Sequence, residues 1–103
     1  MTKHKIKIAI VEDNTTARLN LRSHLLSMRE FDITSYINGK ELRNGLKTIG
    51  FDLVVIDFYL GQNKNGVEWI QYLKESKLIK PSTGIVFLTS DRLPQTISQI
   101  LDI

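Results

Sequence analysis

Apolar runs alternate with amphipathic stretches along the whole chain. Ile6–Val11 (IKIAIV) sets Ile6, Ile8 and Ile10 on one face and predicts a first strand. Ala17, Leu21, Leu25 and Met28 recur at helical spacing, so Asn14–Met28 predicts a helix, with Asn14 or Thr15 capping its start. Phe31–Tyr36 predicts a second, shorter strand, and Asn38-Gly39 a turn. A short helix follows over Lys40–Ile49, with Leu42, Leu46 and Ile49 inward. Leu53–Ile56 (LVVI), closed by Asp57, is a continuous β-branched run of the kind found in a parallel strand covered on both faces. Gly61–Asn65 is a polar, glycine-bounded loop. Gly66–Lys77 then predicts a helix with Val67, Ile70, Leu73 and Trp69 buried and Tyr72 at the boundary. Lys80-Pro81 breaks the chain, Ile85–Leu88 (IVFL) is a fourth strand, and Pro94 suits the first turn of a last helix.

Strands alternating with helices imply a doubly wound parallel sheet of the flavodoxin-like α/β class, with right-handed crossovers and strand order 2-1-3-4. Residues 1–103 form a single unit with no repeat or linker. In such sheets ligands bind beyond the carboxyl ends of the strands, where the strand order reverses. The residues just after each strand therefore carry the chemistry. Glu12 and Asp13 follow the first strand, Asp57 closes the third, and Thr89 and Ser90 follow the fourth. Three carboxylates at one sheet edge repel each other and call for a hard cation, Mg²⁺ or Mn²⁺. One of them can then serve as a nucleophile toward phosphorus. A hydroxyl beside it can bond the phosphoryl oxygens. A single acidic residue at a strand end is ordinarily a solvated loop residue; the spacing of the set is what argues for a site.

Composition narrows this reading. Hydrophobic residues make up 42% and charged residues 24% of 103 residues, the balance of a globular domain. With no cysteine there is neither a disulfide nor a thiolate metal site. The charge of +3 owes much to Lys3, Lys5 and Lys7, and no Lys/Arg cluster interleaved with aromatics appears elsewhere, so we expect no direct nucleic-acid binding. His4 lies in the basic terminus and His24 on the outer side of the first helix, and neither has a ligand-like neighbour. The opening MTKHKIKIAIVEDN is too short in apolar residues for a signal peptide or a membrane span, so we expect a cytoplasmic protein without a membrane partner.

IAIVEDN, LVVIDFYLG and IVFLTS together resemble the response-regulator receiver domain of two-component signalling, a CheY-like fold, across essentially the whole chain. The resemblance implies that Asp57 accepts a phosphoryl group from a histidine kinase or phosphotransfer protein. It implies a metal held directly by Asp13 and Asp57, by Glu12 through water, and by the backbone carbonyl of Tyr59. It makes Thr89 the phosphoryl-binding switch hydroxyl, and Tyr59, Ser90 and Asp91 residues that tune the phosphoryl lifetime. It implies a signalling phosphoacceptor that catalyses only its own phosphorylation and dephosphorylation, controlling an output domain or partner, with dimerisation possible. The sequence departs from the family at Gly61, where a proline is usual, and in a loop one residue longer before Gly66. The family's fifth strand, its lysine and its fifth helix have no counterpart up to Ile103, so we expect the protein to continue past that residue. Without that helix, Ile85, Phe87 and one face of the first helix are expected to lose their cover.

Two other functions compete with this one. A non-phosphorylated pseudo-receiver acting as an interaction module is favoured by the missing lysine and disfavoured by the intact acidic set. A flavodoxin-like cofactor binder needs a glycine- or hydroxyl-rich phosphate loop after the first strand. Glu12-Asp13 at that place would repel a bare phosphate.

Overall fold

The structure is a computed structural model that describes residues 5–60 and 64–88. Seven elements follow in order: β1 (Lys7–Val11), α1 (Thr15–Met28), β2 (Asp32–Tyr36), α2 (Gly39–Leu46), β3 (Leu53–Asp57), α3 (Gly66–Glu75) and β4 (Gly84–Leu88). The strands form one parallel sheet in the order β2-β1-β3-β4. The chain moves one way from β1 to β2 and the other way from β1 across to β3 and β4. The order therefore reverses between β1 and β3. The expected architecture is the observed one. The helix expected after Pro94 lies outside the described residues, as does the loop over 61–63.

Strand alternation splits the core in two. Ala9 and Val11 of β1 and Val54 and Ile56 of β3 face α2 and α3, where Leu42, Trp69, Ile70 and Leu73 complete a large buried cluster. On the other face Ile8, Ile10 and Val55 meet Leu21 and Leu25 of α1. No residue of α1 is fully buried. Of the residues at helical spacing, Leu21 and Leu25 are half-buried, Ala17 is exposed and Met28 is 64% exposed.

Two expectations are corrected. Asn38-Gly39 is a helix start, not a free turn. The Asn38 side chain accepts from Glu41 N at 2.8 Å, while Glu41 Oε1 accepts from Ile37 N at 2.9 Å. The Asn38 cap satisfies a donor that the helix otherwise leaves open, and Glu41 ties down the backbone just before the cap. Ile85 and Phe87 do not lie on the α1 face. They pack against the α2/α3 cluster, and it is Val86, 43% exposed, that faces the α1 side. The helices also end earlier than their apolar periodicity suggests. Ile49 lies beyond α2 yet still packs on the core. Beyond α3, Lys77 turns to a φ of 61°. Among the described residues, no helix is long and apolar enough to cross a membrane.

Candidate functional site

The site is built by register. Val11 pairs with Ile56 in the β1–β3 ladder, so Glu12 and Asp57 stand one step beyond the last pair, on neighbouring strands. Glu12 N donates to Tyr36 O at 3.0 Å, which continues β1 alongside β2 and draws Glu12 into the sheet edge. Glu12 is consequently buried, Asp57 half-buried and Asp13 exposed. Ligand-capable oxygens of these three residues lie within 4.8 Å of one another, at the edge where the strand order reverses.

Helix starts frame the cluster. Asn14 accepts from Ala17 N at 2.8 Å and so begins α1 directly after Asp13. Arg18, one turn into α1, reaches back to donate from Nη1 to the Glu12 carbonyl at 2.9 Å and from Nη2 to Thr15 Oγ1 at 3.4 Å. Asn65 and Glu68 form a reciprocal capping box that begins α3. Gly66 N then donates to Phe58 O at 2.7 Å, and a Cβ on Gly66 would stand 2.3 Å from the Asp57 carbonyl oxygen. Only glycine lets α3 approach the backbone of Asp57 this closely. Phe58 N donates to Leu88 O at 2.8 Å, which ties the segment after Asp57 to β4.

Among the described residues, negative charge outweighs positive at the site. Burial, first, and then the Asp57 carboxylate, which hydrogen-bonds the protonated form and repels the charged one, raise the Glu12 pKa from 4.5 to about 7. Asp13 adds to the rise, and the Arg18 charge opposes it. Glu12 Oε2 is buried with no hydrogen-bond partner. A carboxylate oxygen left in that state costs free energy until a proton, a water or a cation meets it. This orphaned oxygen, beside two more carboxylates, fits a hard divalent cation with oxygen ligands.

Of the residues expected at the site, the structure brings together Glu12, Asp13 and Asp57. Tyr59 follows closely, with its N–H donating to Asp57 Oδ1 at 3.3 Å, its ring edge-on to Phe58, and 43% exposure. Thr89, Ser90 and Asp91 lie outside the described residues. His24 is exposed, as expected, and His4 is outside the described residues. Sequence reasoning passed over Arg18 and Gly66. The signal for Gly66 was its place as the first residue after a helix cap. That for Arg18 was its position one turn after the acidic pair.

Comparison with known proteins agrees with this geometry. Residues 8–103 match the sequence profile of the response regulator receiver domain. A search of curated protein sequences gives no match. Among solved structures, a response regulator receiver protein from Pseudomonas putida superposes with a TM-score of 0.83 at 20% identity, over 98% of this chain and 81% of that one. The chemotaxis protein CheY4 of Vibrio cholerae gives 0.81 at 20%, over 96% and 80%. The isolated REC domain of RcsB from Salmonella enterica serovar Typhimurium, solved with phosphomimetic BeF3⁻, gives 0.79 at 21%, over 96% and 72%. A fusion carrying a yeast Spc42 coiled coil gives 0.81 at 22%, and there the chain spans 65% of the other's length. At these identities the likenesses establish the fold.

Proposed function

The chain belongs to the response regulator receiver family, and from that premise we propose that it accepts a phosphoryl group on Asp57 from a histidine kinase or phosphotransfer protein. The observation that carries this reading is the convergence of Glu12, Asp13 and Asp57 at the strand-order reversal. An Asp57 carboxylate oxygen attacks the phosphorus of an N-phosphorylated imidazole. A P–O bond forms, the P–N bond breaks, and the imidazole leaves with the electron pair and picks up a proton from water. Hydrolysis of the acyl phosphate returns Asp57 and inorganic phosphate. Mg²⁺ or Mn²⁺, held by Asp13, Asp57 and the Tyr59 carbonyl with Glu12 acting through water, would neutralise charge on the phosphoryl oxygens.

The chain's own residues supply the rest. The β1–β3 register sets the distance between Asp57 and the acidic pair. Gly66 lets α3 support the Asp57 backbone. Thr89 would bond the phosphoryl group, and the exposed Tyr59 ring would shield it from water, with Ser90 and Asp91 tuning its lifetime. On this reading the domain is a phosphoacceptor acting on itself, and it controls an output region or partner protein in the cytoplasm.

Acetyl phosphate with Mg²⁺ tests the assignment on the full-length protein by intact mass. One added phosphoryl group is expected on the native protein and none on Asp57→Asn. Labelling of that variant at the native level would overturn it.

A further inference from the structure

The opposite edge of the sheet has features that phosphoryl transfer does not use. After α2 the chain turns at Lys47 and Thr48 and passes Ile49, Gly50 and Phe51 into β3. After α3 it turns at Lys77 and passes Leu78 to Thr83 into β4. These two connections lie side by side because the strands they enter are paired. Gly84 N donates to Asp52 O at 2.9 Å and Thr83 Oγ1 to Phe51 O at 3.1 Å. Between them is a cavity of about 230 Å³. Leu46, Ile49, Phe51 and Leu78 give it apolar walls, and among the described residues Lys47 and Lys80 are its only charged lining residues.

Among the described residues neither ammonium is in an ion pair. Lys80 Nζ lies 3.9 Å from where a Cβ on Gly50 would stand, so the ammonium sits close to Gly50 and a larger side chain at that position would reach it. Both threonine hydroxyls of the lining already donate to backbone carbonyls, Thr48 to Gly45 O at 3.4 Å and Thr83 to Phe51 O. The side-chain donors still available are thus the two ammonium groups. Apolar walls with two unpaired cations and no carboxylate repel cations and leave a neutral apolar molecule without a match for the charge. We propose that this cavity binds a small amphipathic carboxylate, its body against Leu46, Ile49, Phe51 and Leu78 and its carboxylate between Lys47 and Lys80. The cavity is smaller than the ~300–1,000 Å³ of drug-sized sites, so the body is a short alkyl chain or a single ring.

Titration of the full ¹⁵N-labelled chain with hexanoate and benzoate, followed by amide shifts, tests the proposal. Saturable shifts confined to Lys47–Phe51 and Leu78–Thr83 are expected. Lys47→Gln with Lys80→Gln should weaken hexanoate binding about tenfold, the loss of charge-assisted hydrogen bonds. Gly50→Leu should block binding sterically with both charges retained, and an unchanged amide spectrum elsewhere shows that each variant is folded. Three results would each overturn the proposal: hexanol binding as tightly as hexanoate, the double variant keeping its affinity, or shifts spread evenly over the other lysines.

Discussion

At Glu12, burial and like charge act in the same direction. Its folded-state pKa of about 7 stands above the ordinary 4.5, so the folded protein holds this proton more tightly than the unfolded chain does. The stability it contributes is fully present below pH 4.5 and is lost as pH rises through about 7. In chelator, thermal melts should therefore show a Glu12-dependent decline between pH 4.5 and 7, and Glu12→Gln should flatten it. Added Mg²⁺ should restore stability at the alkaline end, because a cation favours the charged form. A native pH profile identical to that of Glu12→Gln would contradict this account. Mg²⁺ titration by calorimetry adds a second check: Asp13→Ala should weaken binding more than Glu12→Ala, since a direct ligand contributes more than one acting through water. Gly66 is the other sensitive position. An alanine Cβ there would stand 2.3 Å from a backbone oxygen that cannot swing aside, so Gly66→Ala should cost about 1–3 kcal/mol in denaturant melts and slow phosphorylation of Asp57. The identity of Glu12, Asp13 and Asp57 was legible because each ends or follows an apolar run. Their unequal burial was not, since it depends on Glu12 pairing with Tyr36 of a strand distant in sequence.

Element types were legible from period and caps, and element ends were less so. The apolar pattern around Leu42, Leu46 and Ile49 continues past the last helical hydrogen bonds, because a residue in a following turn can pack on the same core. At α3 the expected end at Lys77 likewise lies beyond the helix, which ends at Glu75. There Leu78 N and Ile79 N both donate to Leu73 O, at 3.0 and 3.3 Å, and Lys77 takes the left-handed conformation that such endings require. A side chain at that φ carries a steric cost that glycine avoids, partly offset by the greater freedom of glycine in the unfolded chain. Lys77→Gly should therefore stabilise the protein by about 0.5–1 kcal/mol. At the other end of α3, Asn65→Ala removes the capping box and should cost about 1 kcal/mol. Chemical denaturation of the two variants beside the native protein checks both signs.

At the scale of the molecule, the two faces of the sheet are unequal among the described residues. The sequence displayed the alternation within β1 and the sheet order through the β-α repeat. It displayed less of how much each helix layer buries, because that depends on which side chains from other elements each helix meets. The α2/α3 layer contributes Leu42, Ile70 and Leu73, all fully buried, against Ala9, Val11, Val54 and Ile56. The α1 layer contributes only half-buried Leu21 and Leu25, while Leu19 and Met28 are 55% and 64% exposed. Local stability follows buried apolar contact, so α1 should open before the sheet and α3 do. Leu73→Ala should cost about 2–5 kcal/mol, whereas Leu25→Ala, at a site already open to water, should cost less than about 2 kcal/mol. Native-state hydrogen exchange should show α1 amides exchanging by a partial opening. Amides of β1, β3 and α3 should exchange only with global unfolding. Since Arg18 is held to the Glu12 carbonyl, the opening of α1 should also loosen the acidic cluster. Mg²⁺ should then slow exchange in the first turn of α1 more than in its last turn. Equal protection of α1 and α3, unaltered by Mg²⁺, would show that the two layers are equally stable and that α1 is not coupled to the site.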